Sequence, residues 1–125
     1  MSLRSERLID VSLRYRQEPW PFAIEHQAEI EARWRTRVAA NPALWNGRVL
    51  ISRNVRITNG HLTADLSETD YASFVIWRDL GWPDKSVFNI FGMGVMRCQD
   101  GALVLGEMAS HTVNAGAIYP PGGSL

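Results

Sequence analysis

His111 lies beside Thr112 and three positions before Asn114, in the stretch ASHTVNAGAIYPPGGSL that runs to Leu125. Polar loops carried on a rigid scaffold are frequent sites of function, so His111 and Asn114 are candidate ligand contacts. The plain alternative for His111 is a loop hydrogen bond. The pair Pro120-Pro121 followed by Gly122-Gly123 is turn chemistry. Such residues bend the chain tightly and let backbone approach a ligand closely, which adds Gly122 and Gly123 to the candidates.

Other constellations read more blandly. Glu25 and Glu29 stand one helical turn apart, but with Arg33 they continue an i, i+4 series. That spacing describes a solvated, ion-paired helix face rather than a metal site. His26 reads as a surface histidine, and His61, just after a hairpin glycine, as exposed. Cys98 has no evident base beside it and reads as a buried or half-buried structural thiol. Gly92-x-Gly94 lacks the third glycine of a dinucleotide loop and sits inside a strand pattern, which favours close packing or a bulge. Trp34, Trp45, Trp77 and Trp82 are assigned to the core, because nucleobase stacking would call for a basic stripe. Trp20, between Pro19 and Pro21, either meets a partner or pins the N-terminal segment to the body.

Composition narrows the function classes. The 125 residues suit one domain of ordinary size, and 46% hydrophobic residues with five tryptophans suffice for a core. Thirteen basic residues balance thirteen acidic ones, which argues against a general nucleic-acid binder. The single cysteine excludes an intrachain disulfide and a cysteine metal cluster, and fits a cytoplasmic setting. The N-terminus MSLRSERLID has no long apolar run, so neither a signal peptide nor a membrane span is expected there.

The elements that must position the candidates follow from periodicity. Ile9, Val11, Leu13 and Tyr15 alternate as in a strand, which Pro19 and Pro21 end. Residues 23–40 read as a helix with a stripe through Ile24, Gln27, Ala28, Glu31 and Trp34 or Arg35, stopped by Asn41-Pro42. Strands over 48–57 and 61–67 form a hairpin around Asn59-Gly60. Thr69 or Asp70 caps a short helix that Gly81 and Pro83 close. A second hairpin, 88–98 with 102–108, turns at Asp100-Gly101, and its strands are expected in a mixed sheet with the 23–40 helix nearby. The fold class is α+β.

The last third of the chain resembles the entry to a Nudix hydrolase. The glycine-containing strand FGMGVMRC, the tight hairpin QDG, the strand ALVLGEM, a loop and then Tyr119-Pro120-Pro121-Gly122-Gly123 follow the family's order and spacing. In the family the second glycine opens the Nudix box, Gly-x5-Glu-x7-Arg-Glu-U-x-Glu-Glu-x-Gly-U, where U is aliphatic. Upstream, NPALWNGRVLISR and TDYASFVIWRDLGWPD look like the N-terminal extension of one bacterial subgroup. The resemblance implies a Nudix-like αβα sandwich in which a mixed β-sheet is flanked by helices, incomplete over these residues. Residues 1–87 would be the extension and 88–125 the start of the hydrolase domain, together one compact unit.

The resemblance also implies an activity and a departure. Members use box glutamates, gathered on one helical face, to hold magnesium against a pyrophosphate. Only Gly123 of the box is present, followed by Ser124 and Leu125. The implied function is therefore the N-terminal part of a pyrophosphohydrolase that cleaves a nucleoside diphosphate linked to another group. Mg2+ belongs to the complete protein, and neither catalytic nor metal-binding residues are expected within this chain. His111, Asn114, Gly122 and Gly123 are its substrate-contact candidates. The small-molecule nucleoside diphosphate derivative is the expected partner, with no nucleic acid and no membrane, and self-association into a homo-oligomer is compatible with this reading. The alternative is a complete small α+β module that binds a ligand or a protein without enzymatic activity.

Overall fold

The computed structural model describes residues 3–124. Leu125, the last residue of the expected terminal turn, lies outside the described residues. Over the described residues the architecture is mixed α+β, with three helices, a four-stranded mixed sheet and two small two-stranded ribbons.

Strand β1 (Asp10–Tyr15) pairs in parallel with β3 (His61–Asp70), and β2 (Arg48–Thr58) pairs antiparallel with β3. The short β4 (Val87–Phe88) completes the order β1-β3-β2-β4. The β2–β3 hairpin turns at Asn59 and Gly60, whose φ angles of 50° and 78° are both left-handed. A two-residue turn of this hand matches the twist of the flanking strands, which is why Asn-Gly marks it so well. A bulge between Arg53 and Arg56 interrupts the pairing, with Asn54 at φ 51°. The Asn54 amide donates to Asp65 Oδ2 at 2.9 Å, a local reward for its left-handed backbone.

The helical segment differs from the single 23–40 helix expected. It divides into α1 (Pro21–Glu25) and α2 (Gln27–Ala40) at His26, whose φ and ψ are −107° and 16°. His26 joins the two end to end, its N–H donating to the Phe22 carbonyl at 3.0 Å and its carbonyl accepting from Ile30 N–H at 2.9 Å. The buried stripe is also different. Phe22 and Ile30 are buried and Trp34 is packed against them, whereas Ile24 is 61% exposed. Phe22, one residue ahead of the expected start, offers the larger apolar area and sets the phase at i, i+8 and i+12. His26 is half-buried in the same row, stacked on Phe22 at 4.4 Å, and is not a free surface histidine.

Ile51 on β2 and Val87 on β4 face the helices and join Trp20, Phe22, Ile30 and the inner side of α3 (Tyr71–Asp79) in one core. Trp20 and Trp77 meet edge to face at 5.7 Å. Both indoles bond to Asp84: Trp20 Nε1 donates to Oδ2 at 2.9 Å, and Trp77 Nε1 to the backbone carbonyl at 3.1 Å. Buried indole N–H groups need such acceptors. Trp20 thus pins the segment that follows β1 to the body. Trp45 and Trp82 depart from the core assignment, at 81% and 42% exposed. Trp45 folds back over Gly47 instead, where an added Cβ would lie 2.5 Å from its ring.

The second hairpin is the main correction. Residues 88–98 and 102–108 do not form two long strands of the mixed sheet. The tip is hairpin-like: Cys98 N–H donates to the Ala102 carbonyl, Val104 N–H to the Met96 carbonyl, and Arg97 bridges Leu103. Upstream, Gly92 and Gly94 supply no side chains to hold such a pairing. There β5 (Phe91–Met93) pairs with β8 (Gly122–Ser124) instead, while β6 (Gly106–Glu107) pairs with β7 (Ile118–Tyr119). Cys98, at the open tip, is exposed rather than buried.

Candidate functional site

Asp70 sets the position of α3. Its Oδ1 accepts from Ser73 N–H at 3.0 Å, the geometry of an N-cap. Asn46 braces the same corner, donating to Asp70 Oδ2 at 3.0 Å and accepting from Ala72 N–H at 2.7 Å. Burial acts to raise the Asp70 pKa, but the bonds from Ser73 and Asn46 outweigh it and hold the carboxyl below its ordinary value. With the helix so anchored, Ala72, Val75 and Ile76 turn into the core. The i, i+3, i+7 series Tyr71, Phe74 and Arg78 falls on another face.

That face walls a cleft of about 570 Å³, a size typical of small-molecule sites. Opposite stand Phe91 and Met93 of β5 and the two glycines of β8. Met108 and Tyr119, held by the β6–β7 ribbon, and the amides of Asn89 and Asn114 complete the lining. Tyr71 and Phe74 stack at 6.1 Å with their planes 22° apart. Arg78 is the one charged side chain among the described residues lining the cleft. Its guanidinium lies 3.4 Å from Asn114 Oδ1 and 3.5 Å from Asp79 Oδ1. The Asp79 carboxylate is itself engaged by Arg37. The result is an aromatic cleft with one cationic side chain on its wall, itself in contact with Asp79.

Three of the four residues singled out in the sequence, Asn114, Gly122 and Gly123, line this cleft. His111 does not. It is exposed, and its backbone carbonyl, not its imidazole, accepts from Asn41 Nδ2 at 3.0 Å. Gly122 has a steric reason to be glycine: an added Cβ would sit 2.7 Å from Met93 Cβ and 3.0 Å from the Gly92 carbonyl. At Gly123 nothing lies within 4 Å of such an atom. Sequence reasoning missed Tyr71, Phe74 and Arg78. Their spacing on a capped helix was a readable signal, but a helix face points at a cleft only once its neighbours are placed.

Among the described residues, no three His, Cys, Asp or Glu side chains come together as a metal site. Glu29 is ion-paired with Arg33 at 2.9 Å, as its spacing implied. A smaller cleft of about 340 Å³ carries Glu68 and Asp70 among its lining residues. Their carboxylates are occupied by Arg48 at 3.5 Å and by the α3 cap. No helix among the described residues is long and apolar enough to cross a membrane. Comparison with protein-family models, with curated proteins and with solved structures finds no match for this chain.

Proposed function

We propose that this chain is the N-terminal part of a Nudix-type pyrophosphohydrolase acting on a nucleoside diphosphate linked to another group. The observation that carries the reading is the β5–β8 pair. It sets the Pro-Gly-Gly turn beside the glycine-containing strand, at the rim of a cleft with aromatic walls and one arginine. A cleft of that chemistry accepts a nucleoside on its aromatic side and phosphate on its cationic side. In this reading the carboxylates that hold magnesium belong to a helix that follows β8. The residues of this chain bind and orient the substrate.

A second observation supports a missing cover. Phe91, Val95, Val104 and Leu105 are 51%, 57%, 39% and 51% exposed. In this reading a helix following β8 would cover Val95, Val104 and Leu105, while Phe91 keeps its place in the cleft wall. The alternative, a binding module without enzymatic activity, rests on the same cleft with no catalytic helix to follow.

The test compares the 125-residue chain with one extended through its downstream reading frame. The extended chain is expected to carry Arg-Glu-aliphatic-x-Glu-Glu on one helix and to release nucleotide from nucleoside diphosphate compounds with magnesium. The 125 residues alone are expected to be inactive. Hydrolysis by the short chain at ordinary enzymatic rates, or an extension without the carboxylate motif, overturns the reading.

A further inference from the structure

We infer that α3, together with Phe91 of β5, supplies the nucleotide-recognition surface of this cleft, with Arg78 receiving the diphosphate and the base stacking on the aromatic surface of Tyr71, Phe74 and Phe91. The inference rests on the hydrolase reading for the identity of the substrate, but it adds a helix upstream of the Nudix-like segment, α3, to the recognition surface that Phe91 of β5 completes.

The donor arithmetic at Arg78 points to an anion. A guanidinium has five N–H donors in a planar fork. Among the described residues this one makes only the two long contacts to Asn114 and Asp79, 3.4 and 3.5 Å. Since Asp79 is already paired with Arg37, its charge is shared. Arg78 therefore keeps donors for a bidentate phosphate bond, and no carboxylate among the described lining residues repels the ligand.

The opposite requirement, a flat apolar group, comes from the rings. Phe74 and Tyr71 are half-buried in near-parallel orientation, and Phe91 faces the cleft while half exposed. Tyr71 and Phe74 pack against the core with their remaining surface on the cleft, so Phe91 offers the most open ring, and aromatic surface beside a cation is the combination that holds a base joined to a phosphate. The Asn89 and Asn114 amides, each able to donate and accept, stand in the same cleft to meet polar edges of the base or sugar.

Calorimetric titration of the 125-residue chain with ADP, UDP, adenosine, uridine and inorganic pyrophosphate tests the assignment. At least one of the two nucleoside diphosphates is expected to bind more tightly than its nucleoside and than pyrophosphate. Arg78→Gln should weaken that diphosphate about ten- to a hundredfold while leaving the nucleoside unchanged. Phe91→Ala should weaken the nucleoside and its diphosphate about tenfold and leave pyrophosphate unchanged. Arg78→Lys should restore part of the loss. Absence of binding by both diphosphates at millimolar concentration, or equal loss of all ligands in each variant, overturns the inference. The two readings separate cleanly. If the binding pattern holds but the extended chain does not hydrolyse, the hydrolase reading alone fails. If the extended chain hydrolyses and both variants keep the parent KM, the α3 assignment alone fails.

Discussion

Asp70 and Asp84 concentrate local stability in single carboxylates. Asp84 binds the Trp20 indole and both the backbone N–H and the hydroxyl of Ser86. Burial acts to raise its pKa, but the bonds from Ser86 and Trp20, with the nearby Arg53 charge, bring it below the ordinary value. Asp84→Ala leaves the indole N–H of Trp20, a residue only 2% exposed, without its acceptor. The expected cost is about 1–3 kcal/mol in a urea unfolding curve, and less for Asp84→Asn, whose amide oxygen still accepts. Asp70→Ala removes the α3 cap and should cost about 0.5–2 kcal/mol. The pH dependence has a definite sign. Both folded pKa values lie below the unfolded one of about 3.9, so both contributions are fully present above that value and are lost as pH falls through the folded pKa. Urea midpoints measured from neutral to strongly acid pH should fall on acidification, and Asp84→Asn should flatten part of that fall. An unchanged slope in the variant would remove Asp84 from the account.

The β5–β8 ribbon makes a sharper prediction than the hairpin it replaced. Gly122 lies opposite Met93, and Gly123 opposite Gly92. A methyl group at position 122 would meet the Met93 Cβ and the Gly92 carbonyl, neither of them a flexible chain end, while one at 123 meets open space. Gly122→Ala should therefore separate the two strands, exposing the amides of Phe91–Met93 to faster hydrogen exchange and weakening ligand binding in the cleft. Gly123→Ala should leave both measurements near the parent values in this chain. Equal effects of the two substitutions would mean that the ribbon is not the cleft's wall.

Across the molecule, the helices cover only one side of the sheet. The register sets Val11, Tyr15, Ile57 and Phe88 on the other side, where all four are exposed around the buried Ala64 and Leu66. Together with Phe91, Val95, Val104 and Leu105, they leave apolar surface on two regions of the chain. Full burial of one such side chain contributes about 1.5–3 kcal/mol, so water contact at several of them favours association. Sedimentation equilibrium of the 125-residue chain should show a mass that rises with concentration. Val95→Ser combined with Leu105→Ser should lower that association without unfolding the core, because neither residue belongs to it. A parent chain that stays monomeric at high concentration would count against this expectation.

What the sequence determined by itself were the features encoded within a few residues. Asn59-Gly60 specified its hairpin because both left-handed positions suit those two residues. Thr69 or Asp70 at one end and Gly81 at the other bracketed α3, and the structure places the cap bond on Asp70 and a left-handed φ of 79° at Gly81. The strand alternation from Ile9 to Tyr15 was equally plain, and the α+β class followed from these pieces. Tertiary structure decided what depends on competition between distant partners. The chain's Phe22, not Ile24, set the buried row of α1 and α2, because burial goes to the side chain that meets Trp20 and the sheet. The apolar alternation after Phe88 described a strand accurately enough to suggest a hairpin, but not which strand would pair with it. Backbone hydrogen bonds carry no sequence label, so Phe91–Met93 could bond the returning strand or the glycines some thirty residues later. The same uncertainty hid the cleft. Asn114, Gly122 and Gly123 were legible as turn and loop residues, but their neighbours Tyr71, Phe74 and Arg78 became part of one site only when β8 closed against β5 opposite α3.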